Sequence, residues 1–173
     1  MKTLILFCAF CITLGCGLNT IPYSEKTNAQ EPNEVAQSHY NWGLTSAKNG
    51  DHVQAISEFK LAIQNEPGWA LPYYNLGSVY GNMGELYEAI IAWERATQLD
   101  PNFAKAYYNL AIGYSIQADE TNGKDIEKAI ISLREAIRLD KASLASAKIE
   151  PAFDRIRNLP EYKELIHATE PKQ

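Results

Sequence analysis

Side chains that could take part in catalysis or metal binding are few and scattered along this chain. The histidines and cysteines are His39, His52, His167, Cys8, Cys11 and Cys16. Catalysis needs a nucleophile beside a base, a metal cluster, or paired carboxylates in a pocket. No histidine or cysteine pair has the spacing of metal ligands, and no glycine-rich phosphate loop follows a strand pattern. The sequence therefore predicts a protein that is not an enzyme and has neither a metal site nor a cofactor.

Two residue types recur at a constant spacing of 34 residues and are suited to binding. They are the asparagines Asn41, Asn75 and Asn109, each preceded by a tyrosine, Tyr40, Tyr74 and Tyr108. An asparagine amide offers a donor and an acceptor, which match the groups of a peptide backbone. Tyrosine is among the residues that anchor interfaces. The alternative is structural: the amides bond between repeats or at helix ends, and the rings belong partly to the core.

These residues are set in a longer internal repeat. The second halves of the first two copies match as Ala55, Phe59, Ala62 and Pro67 against Ala89, Trp93, Ala96 and Pro101. The third copy continues as Ala129, Leu133, Ala136 and Lys141, 40 residues further on, so an insertion of six residues is predicted at 119–124. Apolar residues three and four apart within each copy predict helices with one buried face.

The second copy is similar to the tetratricopeptide repeat family, through Tyr73, Leu76, Gly77, Tyr80, Ala89, Trp93, Ala96 and Pro101. The resemblance implies an all-α fold, an α-solenoid of three helical hairpins at about 36–69, 70–103 and 104–141, within a repeat domain at 35–141. Residues 142–173 are then capping helices and a tail, with a second binding surface as the alternative. Small residues at Gly43, Gly77 and Ala111 are expected where the two helices of a hairpin approach closely.

In such a solenoid the first helix of each hairpin lines a shared concave groove. The groove residues predicted by register are Tyr40, Asn41, Leu44, Lys48, Leu71, Tyr74, Asn75, Ser78, Lys105, Tyr108, Asn109 and Ile112. The asparagine row is similar to the one that grips peptide backbones in the repeat domain of O-linked N-acetylglucosamine transferase. The carboxylate clamp of some chaperone cofactors is not matched, because Tyr40, Leu44 and Asn109 stand where Lys, Asn and a basic residue are needed. The implied partner is a protein or an extended peptide.

The first residues of the chain predict export. Leu4 to Leu14 form an apolar run of eleven residues, too short to span a bilayer but typical of a signal peptide, predicted at 1–15. Thr13-Leu14-Gly15-Cys16 resembles a bacterial lipobox, which implies lipidation of Cys16 and a membrane-anchored lipoprotein of the bacterial cell envelope. One alternative is an ordinary secretory leader and a periplasmic or secreted protein. The other is a segment that is not cleaved or is not a leader.

The remaining expectations concern partners. The polar segment 16–34 is predicted to be a flexible tether. Net charge is −5 and basic residues are not clustered, so nucleic acid is not an expected partner. The predicted function is a protein interaction adaptor. The alternative is a structural subunit that forms a homo-oligomer through an incompletely capped end of the solenoid.

Overall fold

The computed structural model describes residues 32–118 and 123–168 of the chain. The predicted signal peptide 1–15, the predicted lipidation site Cys16 and most of the predicted tether lie outside these residues. Residues Pro32–Gln173 form a compact unit of their own.

Every regular element in the described ranges is helical. The helices are α1 Glu34–Lys48, α2 His52–Asn65, α3 Ala70–Met83, α4 Leu86–Leu99, α5 Ala104–Gln117, α6 Gly123–Leu139, α7 Ala142–Ile149 and α8 Pro160–Ala168, with a 3₁₀ turn at Pro151–Phe153. Helices α1 to α6 pack as three successive hairpins, and α3 and α5 each also pack on the second helix of the hairpin before. The predicted solenoid of three hairpins with capping helices is confirmed.

The two helices of a hairpin approach closely at small residues. A Cβ added at Gly43 would lie 2.6 Å from Cε1 of Phe59, and one added at Gly77 would lie 2.6 Å from Nε1 of Trp93. In the third hairpin the small residue is Ala111, which is fully buried. The family pattern at these positions thus records packing between helices.

The beginning of the fold differs from the prediction. Asn33 caps α1, because its Oδ1 accepts from the backbone N–H of Ala36 at 2.9 Å. Its Nδ2 also donates to the carbonyl of Asn65 at 2.9 Å, at the end of α2. The predicted tether 16–34 is therefore wrong in its last two residues. Asn33 is the N-cap of α1 and Glu34 is its first residue, so both belong to the folded domain.

The last two residues of the predicted insertion 119–124 are helical. Helix α6 has 17 residues, whereas α2 and α4 have 14 each, and Gly123 and Lys124 form its first turn. Asp125 follows them, is buried, and accepts from Nε2 of Gln117 at 3.2 Å. A carboxylate is favourable at a helix N-terminus, which explains the early start of α6.

The C-terminal segment covers the last hairpin. Phe153 and Ile156 have no exposed surface and join one apolar cluster with Leu110 of α5 and Leu133 of α6. The hydroxyl of Tyr162 in α8 donates to a backbone carbonyl of α7 at 2.8 Å. The predicted capping role of this segment is what the packing shows.

Candidate interaction surface

The first two tyrosines of the repeat pack between successive hairpins. The ring centroid of Tyr40 lies 4.5 Å from that of Trp69, the residue just before α3. The centroid of Tyr74 lies 4.8 Å from that of Phe103, just before α5. Both tyrosines are half-buried and contact the apolar core. They therefore connect neighbouring repeats, and only part of each ring faces the surface.

The third tyrosine contacts the cap instead. The rings of Tyr108 and Phe153 meet edge to face at 6.0 Å. Beside them, Oγ of Ser115 donates to the carbonyl of Ala152 at 2.7 Å. Burial raises the pKa of Tyr108 to about 12, and the nearby Glu150 carboxylate adds to the shift. Tyr108 was predicted to line the groove, and the structure places it under the C-terminal segment.

The three asparagines differ in what they bond. Asn75 donates from Nδ2 to the hydroxyl of Tyr40 at 3.0 Å and to the carbonyl of Leu71 at 3.1 Å. Asn41 is exposed, and its Oδ1 accepts from Gln37 at 3.2 Å, within the same helix. The side chain of Asn109 has no hydrogen bond to any described residue. The three amides therefore differ in what they can offer a peptide. The amide of Asn109 is free, and that of Asn41 is already bonded within its own helix. At Asn75 the NH₂ group is used, so mainly the acceptor oxygen is available.

Apolar and positive side chains flank the asparagines on the first helices. Leu44 and Leu71 are 38% and 39% exposed, and Lys48 and Lys105 are also exposed. Exposed leucines on the first helices of two successive hairpins offer apolar contact area to a ligand.

The other two predicted groove residues are committed to the fold. Oγ of Ser78 donates to the carbonyl of Tyr74 at 3.1 Å, and Ile112 packs against the core. Sequence reasoning missed Ile116, which is 47% exposed on α5 in the register of Lys48. The 34-residue spacing alone would have found it.

A second polar cluster lies away from these residues, between the second helices α4 and α6. The hydroxyl of Tyr114 donates to Glu94, and Nζ of Lys128 lies 3.3 Å from the same hydroxyl. Burial, together with the bond to Glu94, raises the pKa of Tyr114, which keeps the phenol protonated. The three side chains border an open cleft of about 300 Å³. They tie the second hairpin to the third.

His39 is paired with Glu58, Nδ1 to Oε2 at 2.7 Å, across the first hairpin. No group of three histidine, cysteine or acidic residues in the described ranges could hold a metal ion. Nor does any helix within those ranges have both the length and the apolar character needed to cross a membrane.

Three solved structures have a fold similar to that of this chain. MamA is 25% identical over 79% of this chain and 79% of its own, with a TM-score of 0.60. The TPR domain of Arabidopsis OM64 is 17% identical over 66% of this chain and 93% of its own, with a TM-score of 0.57. The first TPR domain of Spaghetti (RPAP3), bound to the HSP90 peptide SRMEEVD, is 16% identical over 78% and 92%, with a TM-score of 0.55.

The sequence comparisons point to the same repeat. No curated protein sequence matches the chain. Residues 70–103, which are α3, α4 and the turn after them, match the family model of the tetratricopeptide repeat. Residues 70–103 are thus a tetratricopeptide repeat, and the described helices have the fold of tetratricopeptide-repeat proteins, a fold used for interaction with other proteins.

Proposed function

We propose that this protein is an adaptor that binds a partner protein, through an extended peptide segment, on the surface of α1, α3 and α5. The observation that carries the proposal is the pair of exposed leucines, Leu44 and Leu71, which lie on consecutive first helices beside Asn41 and Asn75. Apolar contacts supply affinity, while the amides bond to backbone groups of any sequence.

The surface also defines the chemistry of the ligand. Leu44, Leu71 and Ile116 favour apolar side chains, and Lys48 and Lys105 favour acidic ones. A peptide with apolar residues and a few carboxylates fits this set. The HSP90 peptide seen with RPAP3 is not proposed as the ligand, because the residues needed for a carboxylate clamp are absent at Tyr40, Leu44 and Asn109.

A capture experiment tests the proposal. Residues 17–173, which contain the whole compact unit, serve as bait beside the variant Leu44→Ser with Leu71→Ser. A matched control, Val53→Ser with Tyr87→Ser, removes exposed apolar residues from the second helices α2 and α4. Proteins retained by the wild type and the control but lost from the groove variant support the proposal. Equal retention by all three contradicts it, provided circular dichroism shows equal helicity.

Membrane tethering is a second part of the proposal and rests on the sequence pattern at Thr13 to Cys16. We expect lipidation of Cys16 to hold the domain at an envelope membrane, since acyl chains add about 0.8 kcal/mol per buried CH₂. Cys16→Ser should abolish incorporation of labelled palmitate and move the protein to the soluble fraction. Membrane association that survives this change would contradict the lipoprotein and favour another anchor.

The alternative function is a structural subunit that self-associates without a peptide ligand. The C-terminal end does not favour it, because Phe153 and Leu165 are buried within the cap.

We also propose that the protein acts without catalysis, on the ground that its histidines lie apart in the sequence and His39 is bonded to Glu58.

A further inference from the structure

One side-chain hydrogen bond joins the first helices of the first two hairpins. Nδ2 of Asn75 in α3 donates to the hydroxyl of Tyr40 in α1 at 3.0 Å, and it also donates to the carbonyl of Leu71 at 3.1 Å. The Leu71 carbonyl can only accept, so the NH₂ group of Asn75 must face it and the orientation of the amide is fixed. Both hydrogens of the NH₂ group are then used within the domain, and Oδ1 of Asn75 accepts from no described residue.

The hydroxyl of Tyr40 is the acceptor in this bond, and its own hydrogen is not used there. A tyrosine hydroxyl can donate one hydrogen in addition to accepting through its oxygen. No described residue accepts this hydrogen. Burial raises the pKa of Tyr40, although the bond from Asn75 opposes the rise, so the phenol is protonated at neutral pH. The junction of α1 and α3 therefore offers one donor from Tyr40 and one acceptor from Asn75.

These two groups are held in place by the packing of the domain itself. The ring centroid of Tyr40 lies 4.5 Å from that of Trp69 and 5.9 Å from that of Phe59. Asn75 is bonded both to Tyr40 and to its own helix. Tyr40 and Asn75 are half-buried, which leaves part of each side chain at the surface. Groups that are already oriented lose little conformational entropy when a ligand binds.

The later junctions do not form the same pair. Tyr74 and Asn109 have the corresponding registers in α3 and α5, but neither the hydroxyl of Tyr74 nor the amide of Asn109 bonds to a described residue. The hydroxyl of Tyr108 is enclosed and also lacks a partner among the described residues. Within the described ranges, the bonded pair of tyrosine and asparagine is therefore a property of the junction between α1 and α3.

We infer that Tyr40 and Asn75 together bind the C=O and the N–H of one residue of the ligand, an inference that rests on the proposed binding of an extended peptide to this surface. The hydroxyl of Tyr40 donates to the C=O, and Oδ1 of Asn75 accepts from the N–H. In an extended chain these two groups of one residue point to the same side, as they do in the hydrogen-bonded pairs of an antiparallel sheet. The pair excludes proline at this ligand position, because proline has no N–H.

The surroundings of the pair fit this role. Leu44 lies one helical turn after Tyr40, and Leu71 lies one turn before Asn75. Both leucines are exposed, so apolar contact area is present on either side of the donor and the acceptor. The ligand residue bonded by its backbone would thus have neighbours that contact the leucines.

The affinity of a selected peptide tests the pair. Peptides would be selected from a random phage-displayed library on residues 17–173, and the binding of one labelled synthetic peptide would be measured by fluorescence anisotropy. Tyr40→Phe should weaken binding about three- to tenfold, which corresponds to the loss of one hydrogen bond. The matched control is Tyr73→Phe, since this half-buried tyrosine of α3 contacts Arg95 of α4 and its hydroxyl bonds to no described residue. The control should bind like the wild type.

A scan of the peptide with backbone esters separates ligand binding from a structural role of the pair. Each ester replaces one peptide bond and removes one N–H without changing a side chain. With the wild type, one ester position should weaken binding about three- to tenfold. The same ester should cost nothing further with Asn75→Ala, because the acceptor is then absent. A loss at that position that is equal for the wild type and Asn75→Ala would overturn the inference.

The outcomes distinguish this inference from the proposed function. A peptide whose binding is lost in Leu44→Ser with Leu71→Ser, but is equal for the wild type, Tyr40→Phe and Tyr73→Phe, overturns the inference and leaves the adaptor function in place. If no peptide is selected, or if binding survives Leu44→Ser with Leu71→Ser, the proposed function fails and the inference fails with it. A loss specific to Tyr40→Phe, together with an ester position coupled to Asn75, supports both.

Discussion

Two tyrosine hydroxyls near the C-terminal end of the domain have contrasting surroundings. The hydroxyl of Tyr108 is enclosed and has no hydrogen-bond partner among the described residues, whereas that of Tyr162 donates to the carbonyl of Ala147 at 2.8 Å. An enclosed hydroxyl without a bond costs about 1–3 kcal/mol in the folded state, while a satisfied one contributes about 1 kcal/mol. The tyrosine hydroxyl therefore destabilises the folded state at Tyr108 and stabilises it at Tyr162.

Removing these hydroxyls should accordingly change stability in different directions. We expect Tyr108→Phe to leave the free energy of unfolding unchanged or to raise it by up to about 1 kcal/mol. Tyr162→Phe should lower it by about 1–2 kcal/mol, since the Ala147 carbonyl then loses its partner. Urea unfolding followed by circular dichroism measures both. Equal destabilisation by the two changes would contradict this account.

The raised pKa of Tyr108 gives a prediction at alkaline pH. Its folded value is about 12, whereas an unfolded tyrosine titrates near pH 10. Above about pH 10 the unfolded chain therefore loses the proton first, and the free energy of unfolding falls until about pH 12. Two pKa units at about 1.4 kcal/mol each set an upper limit of roughly 3 kcal/mol for this group. Because Tyr108 is only half-buried, solvent screening lowers its contribution below that limit.

Unfolding in urea at about pH 8 and about pH 11 checks this contribution. Tyr108→Phe should lose less stability between the two pH values than the wild type. Other tyrosines with raised pKa values, among them Tyr40 and Tyr162, leave a residual loss in both proteins. An alkaline loss that the substitution does not reduce would show that Tyr108 is not protected by burial.

At the scale of helices, each hairpin pairs a small residue with a large one. Gly43 faces Phe59 in the first hairpin, and Gly77 faces Trp93 in the second. In the third, the corresponding residues are Ala111 and Leu133, and both are fully buried. The third hairpin thus has a leucine in place of the aromatic residue and an alanine in place of the glycine. The smaller side chain at one position compensates for the added methyl group at the other.

A double-mutant cycle tests this compensation. Gly43→Ala alone should destabilise the fold by about 1–3 kcal/mol, because overpacking against the Phe59 ring exceeds the gain in helix propensity. Phe59→Leu alone should also destabilise it. The double variant reproduces the pairing of the third hairpin and should show a favourable coupling of at least about 1 kcal/mol. Additive effects in urea unfolding would mean that the two positions do not contact each other.

The sequence was sufficient for the local features of these helices and insufficient for contacts made between them. The 34-residue register correctly predicts the hairpins and the close approach of their helices at Gly43 and Gly77. Both features follow from helical periodicity and local packing. The bond from Asn75 to Tyr40 joins side chains 35 residues apart and depends on how two hairpins are stacked. Register made the three asparagines look equivalent, and this long-range contact makes them different.

The position of Tyr108 shows the same limit. Its register matches Tyr40 and Tyr74, so the sequence predicts a groove residue. Whether the chain after α7 turns back onto α5 depends on tertiary packing, in which Phe153 takes the place of the aromatics that precede α3 and α5. The early start of α6 similarly depends on Asp125, whose burial no local pattern indicated.

At the scale of the whole molecule, the cap completes the core of the last hairpin. Phe153 has no exposed surface and contacts Tyr108 and Tyr162. Phe153→Ala should lower the free energy of unfolding by about 3–5 kcal/mol through the cavity it creates. Ile149→Ala is the control, since that side chain is 80% exposed, and it should be nearly neutral. Similar urea midpoints for the two variants would mean that the cap does not stabilise the repeats.

Binding of a partner to the surface of the first helices is tested most directly by site-specific photo-crosslinking. Benzoylphenylalanine would replace Leu71, 39% exposed on α3, or Tyr87, 68% exposed on α4, in residues 17–173 incubated with a cell extract. We predict a partner cross-linked from position 71 and none from position 87, although position 87 is the more exposed. Cross-linking from position 87 without any from position 71 would contradict the account and place the partner on the second helices.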